Sequence, residues 1–388
     1  VFDFDFGIRG VGAIAPVDGQ YRPGGIATPV TDVNYFTIHG SMDGDMRSYD
    51  GLRQMRRVQF NDSLYHFAAG LYLHGANHGQ FNQSWGLFDN GYPNSLFLNR
   101  KAIIPVEQQE QVALVYLTAF VLESCHPGSG YLPLFKDYRS GRHWLPDLVH
   151  LNQFHESTAV VFCEYDEDLD VTTGSDGVDS IAACGLALWK EGRIPKKWGD
   201  HRNNAVFLGW NNEKDSIPGH YTVFLDSAFA SQLEGSLAFT FLAADAQMDP
   251  GQREEEADEE SADPDKNAED ADADEEDADE EESEDEVPVD FTIVFRDTAG
   301  VEYRVRLGDY QKLQPAIKPE VFKSRLFWED PESEVILQYI CLPLEKIKDS
   351  ADHPVSANAI CSICFIFDAE KKGTVLLDQL GFARLGEW

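Results

Sequence analysis

The sequence predicts two unlike halves, an α/β sheet followed by an all-β sandwich. Three observations carry this. Short, fully apolar runs alternate with a helical crossover and a long helix up to residue 126. From about residue 156 the pattern changes to many short strands separated by turn residues. Between the halves lies a connector rich in Pro, Gly and aromatic residues, too apolar for a free linker.

In the first half (1–126), "GVGAIAP" (10–16), "VNYFTI" (33–38) and "HFAAGLYLHG" (66–75) are short apolar runs of the kind buried inside parallel sheets. "SYDGLRQMRRVQF" (48–60) supplies a helical crossover between the second and third. Pro105, Glu107 and Glu110 mark the start of a helix over 106–125. Three strands are few for such a sheet, and the chain opens at Val1 in strand-like sequence, so the expectation is an N-terminally incomplete α/β unit. No signal peptide is visible, and no apolar run is long enough to span a bilayer.

The connector, 127–155, is expected to pack on the first half. In the second half (156–388), strands are predicted at 158–166, 185–190, 204–210, 220–226, 235–245, 290–297, 301–309, 333–344, 360–368 and 373–382, with a hairpin turn at 296–303. The stretch 252–287 interrupts them. Its core, 253–286, holds 22 acids against Arg253 and Lys266 and has almost nothing to bury, which predicts a disordered, self-repelling insertion. The basic loop 193–202 is expected to face it.

The net charge is −37, of which −17 lies outside 253–286, and this argues against nucleic acid as a partner. Cys361 and Cys364 have CxxC spacing, but within a strand that offset puts them on opposite faces, and no second CxxC exists. The cysteines read as free thiols and leave the redox compartment open. The location adopted is extracytoplasmic or secreted.

The chemistry gathers in "IHGSMDGDM" (38–46) and "LHGANHGQFN" (73–82). Each follows an apolar strand, so in a parallel sheet both loops emerge at the carboxyl edge, where open α/β sheets bind ligands. Asp43 and His78 should therefore be neighbours, the carboxylate accepting from imidazole Nδ1–H. Alone, an Asp in a Gly turn usually bonds its own backbone, and a His among Gly and Asn is usually solvated. Asp45 is the alternative acid, lying further out where a helix N-terminus would suit it. His39 and His74, at strand ends, read as packing residues.

These segments, over residues 8 to 125, resemble the carboxyl-terminal part of an α/β-hydrolase, in its lipase, esterase and polyester-hydrolase branch. There the acid follows a G-x-x-D turn, here Gly40–Asp43, and the histidine sits in a Gly-rich loop, here "GANHGQF". The resemblance implies a serine ester hydrolase with Asp43 as triad acid, His78 as base and a small-molecule or polymeric ester as substrate. No Ser of the 388 residues lies in a G-x-S-x-G elbow, so the nucleophilic Ser is not in this chain, which is expected to be inactive alone. No cofactor is required by this chemistry.

The second half resembles jelly-roll, carbohydrate-binding-module-like sandwiches. Its opening strand carries acids in "FCEYDEDLD" (162–170) and its closing strand "GTVLLDQLGF" carries Asp378. The resemblance implies a structural calcium with Asp166 and Asp378 as candidate ligands, and glycan as a candidate partner. Trp189, Trp198 and Trp210 are candidate sugar platforms, although Trp189 and Trp210 end apolar strands and read as core. The alternative function is therefore a non-enzymatic glycan- or partner-binding sandwich with a degenerate hydrolase remnant.

Overall fold

The computed structural model describes residues 6–19, 25, 29–168, 170–197, 199–213, 217–246, 248, 250, 288–323 and 334–385. The acidic insertion 252–287 and Trp198 lie outside the described residues.

In chain order the elements are β1 (Gly10–Ile14), β2 (Val30–Thr31), β3 (Asn34–Gly40), α1 (Gly51–Met55), β4 (Val58–Gln59), β5 (Phe67–Leu73), α2 (Val106–Cys125), α3 (Leu132–Lys136), β6 (His150–Glu156) and β7 (Val160–Cys163). They continue with β8 (Val178–Cys184), β9 (Leu188–Pro195), β10 (Asp200–Asn211), β11 (His220–Leu225), α4 (Ser227–Ala230) and β12 (Leu237–Asp245). The last are β13 (Thr292–Asp297), β14 (Glu302–Arg306), α5 (Leu307–Tyr310), β15 (Gln338–Pro343), β16 (Ile360–Ile366) and β17 (Lys372–Arg384). The molecule is mostly β, and none of its helices is long and apolar enough to cross a membrane.

The first sheet runs β1-β3-β5-β6. The first three strands are parallel and β6 joins antiparallel to β5. Strands β3 and β5 are buried along their whole length, as continuous apolar runs require. Two expectations need correction here. The crossover from β3 to β5 holds one short helix, Gly51–Met55, and then β4, because Arg56 and Arg57 turn away to ion pairs. The connector is not only a packing segment: its end, His150–Glu156, is the fourth strand of this sheet.

The second half is a sandwich. A six-stranded sheet, β15-β12-β17-β10-β9 with β7 also on β17, faces a five-stranded sheet, β14-β13-β16-β11-β8. Between them Phe239, Phe241, Phe291, Phe365 and Phe382 pack as a cluster of tilted and edge-on rings. The hairpin at 296–303 joins β13 to β14. Trp210 is fully buried and stacks on Phe367, and Trp189 packs partly buried against the same core.

The other face of the six-stranded sheet packs on the first half. One core takes Phe36, Phe67 and Phe135 from the first half and Phe207, Leu242 and Leu376 from the sandwich. Each such side chain, fully buried, is worth about 1.5–3 kcal/mol. Polar links cross the same boundary. Glu334, fully buried, accepts from Ser48 Oγ at 2.7 Å and from the Tyr49 amide at 3.0 Å. Lys196, in the basic loop expected to face the acidic insertion, instead pairs with Asp50.

Candidate functional site

At the carboxyl end of β3 the chain must turn under the loop that follows β5. Gly40 makes this possible: a Cβ there would lie 2.3 Å from the Ala76 carbonyl oxygen. The close approach is fastened by the Met42 amide donating to Ala76 O at 2.8 Å and the Gly75 amide donating to Ser41 Oγ at 2.9 Å. His74 Nδ1 lies 3.2 Å from the same hydroxyl.

This turn delivers Asp43, fully buried, to the His loop. His78 Nδ1 lies 2.9 Å from Asp43 Oδ2. The other carboxylate oxygen, Oδ1, accepts from the amides of Asp45 at 3.0 Å and Met46 at 2.6 Å. The carboxylate is thus aimed by its own turn. Burial pushes the Asp43 carboxyl up to about 6, against the lowering effect of His78. The hydrogen bond from Asp43 holds the His78 imidazolium above its ordinary range, with burial opposing.

Asp45 takes a different place. Its Oδ2 is 3.9 Å from His78 Nε2 and its side chain is 55% exposed. It is not at a helix N-terminus, since α1 begins only at Gly51. His39 is buried between Tyr49 and Tyr72, and burial lowers it to about 3, so it is a neutral packing residue. The Trp85 ring stacks on His78 at 5.8 Å and 8°, leaving the indole 58% exposed beside it.

Two supports were not read from the sequence. Asp89 accepts from the amides of Gly44 (2.8 Å), His78 (3.0 Å) and Gly79 (2.8 Å) and from Asn77 Nδ2 (2.7 Å). One carboxylate therefore ties the acid turn to the histidine loop. Gln109, fully buried in α2, clamps the same loop by donating to Asn77 O at 2.7 Å and accepting from the Asn77 amide at 3.1 Å. "FDNG" (88–91) signals a turn, but nothing local marks Asp89 as a bridge.

Asp166 and Asp378 line one cavity, but the charge that faces Asp378 is a guanidinium. Arg56 Nη2 lies 2.8 Å from Asp378 Oδ2. Asp166 Oδ1 accepts from the Asn204 amide at 2.7 Å. A calcium shared by these two carboxylates would have to displace Arg56. Another group that could hold a cation is Asp32, Asp62 and His66, whose ligand atoms lie within 4.8 Å of one another; Asp62 Oδ1 already contacts His66 Nε2 at 3.0 Å.

No protein-family model matches the chain, and no curated protein does. Among solved structures, an agarase, AgWH50C, overlaps 59% of this chain at 9% identity and a TM-score of 0.32. This chain spans about a quarter, 26%, of that agarase. A family 11 carbohydrate-binding module from Clostridium thermocellum, in complex with a β-1,3-1,4-mixed-linked tetrasaccharide, overlaps 60% of this chain and 99% of its own at 9% identity and a TM-score of 0.30. A family 30 carbohydrate-binding module overlaps 58% of this chain and 100% of its own at 10% identity and a TM-score of 0.32.

Proposed function

We propose that Asp43 and His78 are the acid and base of a serine-type carboxylic ester hydrolase. The observation that carries this reading is the 2.9 Å contact between a fully buried carboxylate and imidazole Nδ1, in loops at the carboxyl ends of adjacent parallel strands. In that arrangement Asp43 fixes the tautomer with the proton on Nδ1 and stabilises the imidazolium that forms. Nε2 is then free to take the proton of a serine hydroxyl as it attacks the ester carbonyl, and to return it to the leaving alkoxide. On this reading the 388 residues are part of the enzyme, and the elbow serine and oxyanion donors come from sequence outside them. Asp89 and Gln109 hold the two loops in register.

A fluorophosphonate probe, which acylates only activated serines, tests this. The natural protein that contains this sequence should label, its His78→Ala variant should not, and the isolated 388-residue chain should not. Labelling of the isolated chain would show a nucleophile among these residues and sink the assignment.

The second reading, glycan or partner binding by the sandwich half, is favoured by a polar cavity of about 590 Å³ where the two halves meet.

A further inference from the structure

The cavity lies away from Asp43 and His78. Its wall includes Gln153–His155 of β6, which pair with Ala68–Gly70 in the first part of β5, whereas His78 follows the end of that strand. The rest comes from the end of α1, from His201–Asn203 of β10 and from Asp378 and Gln379 of β17. A volume of about 590 Å³ at a junction of two folded units is typical of a small-molecule site.

Its polar groups are arranged in an unusual way. The full charges are largely settled within the protein: Arg56 pairs with Asp378, Arg57 with Asp18, and Arg53 lies 3.9 Å from Asp50. Yet several buried atoms have no hydrogen-bond partner: both ring nitrogens of His201, Oδ1 of Asn203, and Nε of Arg53 and of Arg57. His201 and Asn203 are only 5% and 6% exposed. The nearest carboxylate to His201, Glu334, is 4.0 Å from Nε2, beyond hydrogen-bonding distance. Burial lowers His201 to about 3, so its ring is neutral and offers one donor and one acceptor.

The unmatched set therefore contains N–H donors and O or N acceptors side by side. An anion would satisfy only the donors, and Glu164 and Asp166 on the wall oppose it. A cation would satisfy only the acceptors, against four arginines on the wall. A hydroxyl donates and accepts at once, and a ring bearing several adjacent hydroxyls presents this repeatedly in a fixed geometry. We propose that this cavity binds a neutral saccharide, held by His201, Asn203, Arg53 and Arg57. The proposal rests on the second reading above and gives the sandwich half its site.

The test is a titration of the full 388-residue chain with cellobiose, maltose and lactose, following histidine ring signals in ¹H–¹⁵N correlation spectra. At least one sugar should give saturable shifts at His201 and His155 and none at His78, and inorganic phosphate should give none. Arg202 is on the wall but exposed, so Arg202→Ala keeps the fold and should weaken binding about tenfold. Asn203→Leu should abolish it, with the thermal midpoint measured alongside to separate lost binding from lost folding. If all three sugars leave His201 and His155 unmoved, the cavity holds only water and the proposal fails. It fails equally if phosphate moves them instead. Sugar shifts confined to sandwich residues away from the cavity would also overturn it, while leaving glycan binding by the sandwich intact.

Discussion

Replacing Asp89 by Ala removes one acceptor from four donors, the amides of Gly44, His78 and Gly79 and the Asn77 carboxamide. A hydrogen bond to a charged group contributes about 1.5–3 kcal/mol in mutational series. Four such bonds do not add, because the donors share one partner and Asp89 is only half-buried, so water re-satisfies part of the set. A net loss of about 3 kcal/mol follows, or a fall of roughly 6 °C or more in Tm at about 2 °C per kcal/mol for a chain this large. Asp89→Asn keeps one oxygen but turns an NH2 toward two of the donors, so it should cost about half as much. The loss is also local. With the acid turn and histidine loop untied, and a nearby negative charge gone, the His78 titration should move down toward about 6.5. Thermal unfolding by circular dichroism and ring-proton NMR read the two effects. An Asp89→Ala protein that unfolds within a degree of the parent, with an unchanged His78 titration, would refute the bridging role.

Arg56→Met leaves the fully buried Asp378 without its cation and should cost about 3–5 kcal/mol in denaturant unfolding; Arg56→Met with Asp378→Leu should recover most of it. For His78 the sign runs upward: its folded pKa lies above the ordinary value, and the base must be neutral. Ester hydrolysis by the natural protein should therefore rise as pH passes through that raised pKa, and Asp43→Asn should move the rising limb to lower pH. Across the same range His39 and His201, both lowered to about 3 by burial, should show no ring titration down to pH about 5.

The candidate site was legible because both of its residues sit directly after strands whose apolar runs are unbroken. "VNYFTI" and "FAAGLYL" can only be buried, and burial on both faces implies a parallel sheet, whose loops share an edge. Helix α2 was legible through Pro105 and the early acids. Strand β6 was not, because "HLNQFHE" alternates His, Asn and Gln with apolar residues. Those polar groups find partners only in the fold: Gln153 Nε2 donates to Leu337 O, and Asn152 Oδ1 accepts from the Tyr138 amide. Asp89 and Arg56 escaped for the same reason. Their partners lie far along the chain, and a charged residue in a polar loop carries no mark of the buried group it meets. The shared core of the two halves was also hidden. A strand such as β12, apolar on both faces, reads as the middle of a sandwich, and nothing local shows that one face meets another sheet.

The most direct measurement is turnover of p-nitrophenyl butyrate by the natural protein that contains this sequence, beside its His78→Ala and Asp43→Asn variants. The account predicts measurable turnover in the parent, a loss of several orders of magnitude in kcat with His78→Ala, about 10⁴-fold with Asp43→Asn, and native unfolding curves for both. An unchanged kcat in either variant would contradict it, as would ester turnover by the isolated 388 residues that a serine substitution within them abolishes.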